Sequence, residues 1–268
     1  MVVKRLLEDL KVLLKTNSLP LEILIQLPRK EVIFCKADKL GMIKQLKAVV
    51  FDMDGVVIDS EFTHYSAICE AMGGGATATF EQFLEHCTGR DEVYAMTRMA
   101  ELSGMSFVPD DLPKWGVRKG KAYARLVGEH ARPIPGSVEL VLSVAQELPV
   151  GLATGSRRHD VESALPVLAG GALNGVFSAI VTSSDVAAPK PDPQTYEKAV
   201  EELGLSVSQC WAVEDSPNGI RAASTAGLRV IGVLGTNDRQ NLLDAGAERV
   251  VDDLMELSLT TLREWFEQ

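Results

Sequence analysis

Short apolar runs rich in β-branched residues alternate with helical patterns along most of the chain, and this alternation restricts the fold more than any other feature. Helical spacing of apolar residues recurs at 138–146, 193–203 and 219–226. Strands that alternate with helices predict right-handed βαβ units and a parallel sheet covered by helices on both faces. The predicted strands are KAVVFD (47–52), VGLAT (150–154), SAIVT (178–182), CWAVED (210–215), RVIGVL (229–234) and ERVV (248–251).

The interval between the first two predicted strands is far longer than a crossover helix requires. It carries helical patterns at 62–72, 80–86, 92–102 and 119–129, separated by turn-rich segments at 73–75 and 104–113. The sequence therefore predicts a helical cap domain, residues 62–132, inserted into a core formed by 42–61 and 133–268. An insert that leaves after the first strand lies above the crevice where doubly wound sheets bind ligands.

Residues 1–41 are predicted to form an N-terminal extension, a short amphipathic helix followed by an irregular arm. Leucines recur at helical spacing before two prolines interrupt the pattern: Leu6, Leu7, Leu10, Leu13, Leu14, Pro20 and Pro28. The helix could dock on a membrane surface or a partner. We favour a helix laid on the domain, or a segment upstream of a translation start at Met42, and assign it no chemistry.

The composition excludes several classes of protein. A formal net charge of −10 argues against binding to nucleic acid or to an anionic membrane. No apolar run is long enough to span a membrane, and early charges interrupt any signal peptide. We expect a cytoplasmic protein, monomeric or weakly dimeric, whose thiols are reduced because no CxxC spacing occurs among Cys35, Cys69, Cys87 and Cys210.

Two carboxylates, Asp52 and Asp54, follow the first predicted strand and precede Gly55. Side chains two residues apart in an extended segment project to the same side, so the two carboxylates repel each other unless a cation lies between them. Mg²⁺ binds carboxylate, backbone carbonyl and phosphate oxygens together. Taken alone, the pair could equally cap the turn.

The next two predicted strand ends offer groups that suit a phosphate. Thr154, Gly155 and Ser156 form a small hydroxyl-bearing turn before a helix, which can seat a phosphate or simply cap that helix. Lys190 is flanked by prolines in the segment 189–193. A fixed ammonium suits a phosphoryl group, although a polar loop before a helix explains the same residues.

A second acidic pair, Glu214 and Asp215, ends another apolar strand. Adjacent acids on a buried strand need a partner, and helix capping explains Asp215 but not Glu214. Four strand ends thus bring carboxylates, a hydroxyl, a lysine and further carboxylates to one edge of one sheet. Together they predict a site for magnesium and a phosphoryl group.

These motifs resemble those of the haloacid dehalogenase superfamily. FDMDGVVIDSE (51–61) resembles its first motif, LATGS (152–156) its second, KPDP (190–193) its third and AVEDSPNGIRAA (212–223) its fourth. The resemblance extends from about Lys47 to the end of the chain. The helical insert resembles the cap of the β-phosphoglucomutase and small-molecule phosphatase branch. The resemblance implies an α/β fold, a Rossmann-like doubly wound parallel-sheet core with a mobile helical lid.

The resemblance also implies a role for each motif residue. Asp52 would be the nucleophile that forms an aspartyl phosphate, and Asp54 the general acid and base. The residues that bind the phosphoryl group would be Thr154, Gly155, Ser156 and Lys190. The cofactor Mg²⁺ would be held by Asp52, the backbone carbonyl of Asp54, Glu214 and Asp215.

The function that the resemblance implies is a magnesium-dependent phosphatase acting on a small phosphorylated metabolite such as a sugar phosphate. Asp54 disfavours the dehalogenase and phosphonate-cleaving branches, which lack this second aspartate. A phosphosugar mutase shares all four motifs and remains the alternative. A binding module without activity is a third interpretation, disfavoured because every group that the reaction needs is present.

In the predicted cap, two residues are candidates for substrate contact. Arg90, in TGRD (88–91), resembles a cap-loop arginine that reaches substrate, but it could be a solvated surface residue. His64 matches a histidine common in this branch, although a local helix contact has slightly more weight. Lys119, with Arg118 and Lys121, is expected by default to be solvated, with a lid contact as the other possibility.

Overall fold

The computed structural model describes residues 22–26, 32–36 and 45–268. The chain divides into two compact units, Met1–Lys44 and Gln45–Gln268. In the first unit, strands β1 (Glu22–Gln26) and β2 (Val32–Lys36) pair antiparallel. The predicted leucine-rich helix lies outside the described residues. The predicted irregular arm was wrong for these two segments, because both are apolar, β-branched runs that suit strands.

A six-stranded parallel sheet forms the centre of the second unit. Its strands are β3 (Ala48–Phe51), β6 (Val150–Ala153), β7 (Ala179–Val181), β8 (Cys210–Glu214), β9 (Arg229–Val233) and β10 (Arg249–Val251). Their order in the sheet is β10-β9-β8-β3-β6-β7. This is the doubly wound order. The chain adds β6 and β7 on one side of β3 and then crosses to the other side, where it adds β8, β9 and β10. All six predicted strands are confirmed. Two further strands of this unit, β4 (Ile58–Asp59) and β5 (Arg132–Pro133), lie outside this sheet.

Strand register brings three motifs to the same edge of the sheet. Phe51 of β3 pairs with Val213 of β8 on one side and with Leu152 of β6 on the other. The residues that follow Phe51 therefore lie beside the ends of both neighbouring strands. The direction of winding changes between β3 and β8, which is where ligands bind in sheets of this kind.

Helices cover the sheet, and every helix predicted within residues 45–268 is confirmed. The α-helices are α1 (Glu61–Met72), α2 (Phe80–Cys87), α3 (Glu92–Leu102), α4 (Asp111–His130), α5 (Ser137–Ala145), α6 (Arg158–Ala164), α7 (Gln194–Glu202), α8 (Pro217–Ala226), α9 (Arg239–Asp244) and α10 (Leu259–Glu267). Helix α4 starts eight residues before the predicted pattern. Pro113 lies in its first turn, where the missing N–H is not needed.

Helices α1 to α4 are inserted between β4 and β5, which pair antiparallel. The insert has its own apolar core, which includes Ile68, Phe83, Met96, Met99 and Trp115. The β4/β5 pair was not predicted, because strands of two residues give no periodic signal. It lies at the boundaries expected for the cap domain, and the division into core and cap stays a prediction. No helix of the described residues is long and apolar enough to cross a membrane.

Candidate active site

Lys190 joins two of the motif carboxylates in the crevice at the end of the sheet. Its Nζ lies 3.0 Å from Asp52 Oδ1 and donates to Glu214 Oε1 at 2.7 Å and to the carbonyl of Ala153 at 2.9 Å. Although burial opposes the charge, Asp52 and Glu214 raise the pKa of Lys190 above its usual value. The lysine is therefore a fixed cation at the carboxyl end of β3.

Glu214 is fully buried and accepts hydrogen bonds on both oxygens. Oε1 accepts from Lys190 and from the hydroxyl of Tyr196 at 3.0 Å, and Oε2 accepts from the backbone N–H groups of Asp215 and Ser216 and from the Ser216 hydroxyl, each at 3.1 Å. This carboxylate thus fixes the lysine and the loop that follows β8. Tyr196 was missed from the sequence, because nothing in its spacing connects it with a strand end.

The acidic residues fit a divalent cation. Oxygens of Asp52, Glu214 and Asp215 lie within 4.8 Å of one another, and all three residues are buried. Burial and the neighbouring charge of Glu214 raise the pKa values of Asp52 and Asp215. Three carboxylates against one ammonium leave an excess of two negative charges, which a divalent ion with a preference for oxygen would balance. Apart from the ion pair with the Lys190 ammonium at 3.0 Å, Asp52 Oδ1 has no hydrogen-bond partner among the described residues, so it is open to a cation.

Asp54 is surrounded by hydrogen-bond donors. Its Oδ1 accepts from the Ser60 hydroxyl and lies 3.1 Å from His64 Nε2, while its Oδ2 accepts from Ser156 Oγ at 2.7 Å and from Thr154 Oγ1 at 3.3 Å. Burial raises the pKa of Asp54, but the charge of His64 and these hydrogen bonds outweigh it and lower the pKa overall. In this arrangement the carboxylate is ionised and can act as a base.

The second motif supplies two hydroxyls beside this carboxylate. The backbone N–H of Thr154 continues the sheet by donating to Val181, and its hydroxyl also accepts from the N–H of Ser156 at 3.0 Å. Gly155 and Ser156 line the same pocket as Asp52 and Asp54. A phosphoryl oxygen entering this pocket can replace Asp54 as the acceptor of both hydroxyls.

The two cap candidates both line this pocket. His64 contacts Asp54 and stacks on Tyr123, with ring centroids 4.6 Å apart, so it is part of the site as well as of helix α1. Arg90 is exposed, with its guanidinium 4.8 Å from the ring centre of Tyr94. Next to it, the carbonyl of Gly89 accepts a hydrogen bond from Asn218 on α8.

Comparison with known proteins agrees with this geometry. The model of the family described as haloacid dehalogenase-like hydrolase matches residues 46–227. The chain belongs to this family. It is therefore an enzyme of the hydrolase class, with named phosphatases among its relatives. Validoxylamine A 7'-phosphate phosphatase from Streptomyces hygroscopicus subsp. limoneus is 33% identical over 214 residues, covering 79% of this chain and 95% of the relative.

Solved structures of this family have the same fold. CbbY from Rhodobacter sphaeroides, in complex with phosphate, superimposes with a TM-score of 0.74 at 27% identity and covers 81% of this chain and 99% of its own. β-Phosphoglucomutase from Clostridium difficile gives a TM-score of 0.70 at 23% identity, over 83% of this chain and 97% of its own, a likeness of fold alone.

In this haloacid dehalogenase-like hydrolase, the default expectation for Lys119 was wrong. Its side chain is 2% exposed, and its Nζ lies 2.6 Å from Asp160 Oδ2 and 3.3 Å from Glu92 Oε2. Arg157 also pairs with Glu92, at 3.0 Å. The signal that could have identified this lysine is its position between Trp115 and Tyr123 at intervals of four residues, on the buried face of α4.

Gly219 is predicted to be essential for the position of Glu214. A Cβ at this residue would lie 1.6 Å from Glu214 Oε1, a side chain that five hydrogen bonds hold in place. Gly219→Ala should lower the free energy of unfolding by about 1–3 kcal/mol, and turnover by about 10²-fold because Lys190 is displaced.

The matched control for this prediction is Gly128→Ala. Gly128 also lies in a helix, where a Cβ would meet nothing within 4 Å. This change should leave turnover intact and raise stability by up to about 1 kcal/mol. Chemical denaturation and steady-state kinetics on both variants measure the two effects. Full activity in Gly219→Ala would show that the position of Glu214 is unimportant.

Proposed function

We propose that this enzyme is a magnesium-dependent phosphatase that hydrolyses a small phosphorylated metabolite, a sugar phosphate or similar phosphomonoester, through an aspartyl phosphate on Asp52. The observation that carries the proposal is the contact of buried Asp52 with the Lys190 ammonium, in a pocket that also presents Asp54, which accepts from the hydroxyls of Ser156 and Thr154. The names of the phosphatase relatives support the substrate class. The cytoplasmic location and the weak or absent self-association rest on sequence alone.

The first step of the proposed reaction transfers the phosphoryl group to Asp52. Lys190, Thr154 and Ser156 bind its oxygens and hold the phosphorus opposite Asp52, whose carboxylate forms the new P–O bond as the ester oxygen leaves. The residues able to hold Mg²⁺ are Asp52, Asp215, the backbone carbonyl of Asp54 and Glu214, although Glu214 already accepts five hydrogen bonds. When bound, this ion would neutralise negative charge on the phosphoryl oxygens.

Asp54 moves the protons in both steps of the proposal. When phosphoryl oxygens accept the hydrogen bonds of the Thr154 and Ser156 hydroxyls, Asp54 loses two of the donors that favour its ionised form. Asp54 can then be protonated, and it donates this proton to the leaving oxygen. The resulting carboxylate next removes a proton from water. That water attacks the phosphorus of the aspartyl phosphate, releases inorganic phosphate and regenerates Asp52.

The proposal is tested by phosphate release from acetyl phosphate and from a panel of sugar phosphates, with Mg²⁺ and after chelation by EDTA. We expect turnover of acetyl phosphate to fall by more than about 10²-fold on chelation and to recover when Mg²⁺ is added back. Formation of an isomeric sugar phosphate in place of phosphate release would identify a mutase. Binding of sugar phosphates without turnover would identify a binding module.

Arg90→Ala is predicted to raise KM for the preferred sugar phosphate by about tenfold or more, the effect of losing a charge-assisted hydrogen bond. KM for acetyl phosphate should change little, because so small a substrate does not extend to the cap loop. Arg98→Ala is the control, since Arg98 is a cap arginine paired with Glu101 at 3.0 Å. Equal losses on both substrates would contradict a role in recognition.

A further inference from the structure

A second cluster of charged side chains lines the same pocket as the proposed catalytic residues. It consists of Glu92 and Lys119 from the helical insert and of Arg157 and Asp160 from the segment after β6. Tyr123 connects it to Asp54, because Lys119 Nζ lies 4.7 Å from the ring centre of Tyr123, which in turn stacks on His64. The part of a substrate that is not transferred must lie against groups of this kind.

The two acids of this cluster are largely buried, and three of their four carboxylate oxygens lack a hydrogen bond. The Glu92 side chain is 9% exposed and that of Asp160 is 1% exposed. Both oxygens of Glu92, and Oδ1 of Asp160, receive no hydrogen bond from the described residues, although cations lie within 3.0 to 3.3 Å of the Glu92 oxygens and His159 Nε2 lies 3.3 Å from Asp160 Oδ1. An ionised carboxylate can only accept, so the missing partners must be donors. Buried acceptors without partners are costly, and a ligand that supplies donors removes this cost.

The two cations of the cluster are already balanced. Lys119 faces both Glu92 and Asp160, and Arg157 faces Glu92. A phosphate placed here would have to displace a carboxylate from its cation. It would then lie beside that carboxylate among largely buried side chains, where like charges repel strongly. Arg90, the other lining cation of the insert, is exposed and lies over Tyr94.

We propose that Glu92, supported by Asp160, selects a substrate whose non-transferred part is uncharged and rich in hydroxyl groups, and disfavours one that carries a second phosphate. Hydroxyls can donate the hydrogen bonds that the ion-paired Glu92 oxygens lack, whereas the oxygens of a phosphate dianion cannot donate. This inference rests on the proposed phosphatase function, because it concerns the rest of the same substrate. It makes Glu92 a determinant of specificity rather than a catalytic residue.

The test compares fructose 1-phosphate and fructose 1,6-bisphosphate as competitors of acetyl phosphate hydrolysis at one ionic strength. Competition reports binding of both sugars even when one of them turns over slowly. In the wild-type enzyme, the concentration of bisphosphate that halves the rate of acetyl phosphate hydrolysis should be at least about tenfold higher than that of fructose 1-phosphate. In Glu92→Gln, whose amide can donate to phosphate, the two concentrations should agree to within about threefold.

Glu101→Gln is the control, because Glu101 lies on the same helix, is exposed and pairs with Arg98. This change should leave the wild-type ratio unaltered. If Glu92→Gln does not fold, the ratio of the two inhibitory concentrations in the wild type still tests the inference. A bisphosphate that competes as well as or better than the monophosphate would overturn the inference and leave the phosphatase intact. Failure of the wild type to hydrolyse acetyl phosphate at all would instead refute the proposed function.

Discussion

Asp54→Asn is expected to lower turnover of an alkyl phosphate ester by about 10²–10⁴-fold, the range for the loss of a general acid and base. The loss should depend on the leaving group. An alkoxide needs a proton to leave, whereas the acetate released from acetyl phosphate does not. Phosphorylation of Asp52 by acetyl phosphate should therefore continue in this variant, while hydrolysis of the phosphoenzyme becomes slow because no base activates water.

Asp59→Asn is the control for this variant. Asp59 belongs to the same motif but is exposed and lies outside the pocket. Its replacement should leave both steps unchanged. Single-turnover measurements with acetyl phosphate and with an alkyl ester separate the two steps. Equal losses with both leaving groups in Asp54→Asn would mean that this aspartate positions the site and transfers no proton.

The sequence predicted the parts of the fold that depend on local patterns. Each core strand is a short apolar run, and five of the six are followed directly by a polar residue, so strands and most strand ends could be located from these runs. The motif residues Asp52, Thr154, Lys190 and Glu214 meet because the strands are parallel and in register, a consequence of the βαβ alternation. Their roles in the reaction stay predictions.

Contacts between distant segments could not be predicted in this way. Lys119 and Asp160 form a buried pair across 41 residues of sequence. The spacing of Trp115, Lys119 and Tyr123 could place the lysine on a buried helix face, but nothing in either segment identifies its partner. Tyr196 contacts Glu214 from a helix whose sequence does not indicate the site. The β4/β5 pair was missed because strands of two residues are too short to give a period, and the β1/β2 pair was missed because Pro20 and Pro28 indicated an irregular arm.

The nucleophile is the centre of the account, and Asp52→Asn is expected to abolish turnover, a loss of more than about 10⁴-fold. The amide keeps the shape of the side chain but cannot attack phosphorus. Burial and the charge of Glu214 raise the pKa of Asp52, and together they outweigh the opposite effect of Lys190. Removal of the Asp52 charge therefore also relieves repulsion among the acids. The variant should therefore be at least as stable as the wild type, so loss of activity cannot be attributed to unfolding.

The measurement is intact protein mass after rapid quenching of a reaction with acetyl phosphate and Mg²⁺. Asp54→Asn should gain the mass of one phosphoryl group, and Asp52→Asn should gain none at any time. Peptide mapping of the phosphorylated Asp54→Asn protein should place the group on Asp52. Phosphorylation of Asp52→Asn at the wild-type rate would contradict the assignment of the nucleophile, and with it the mechanism.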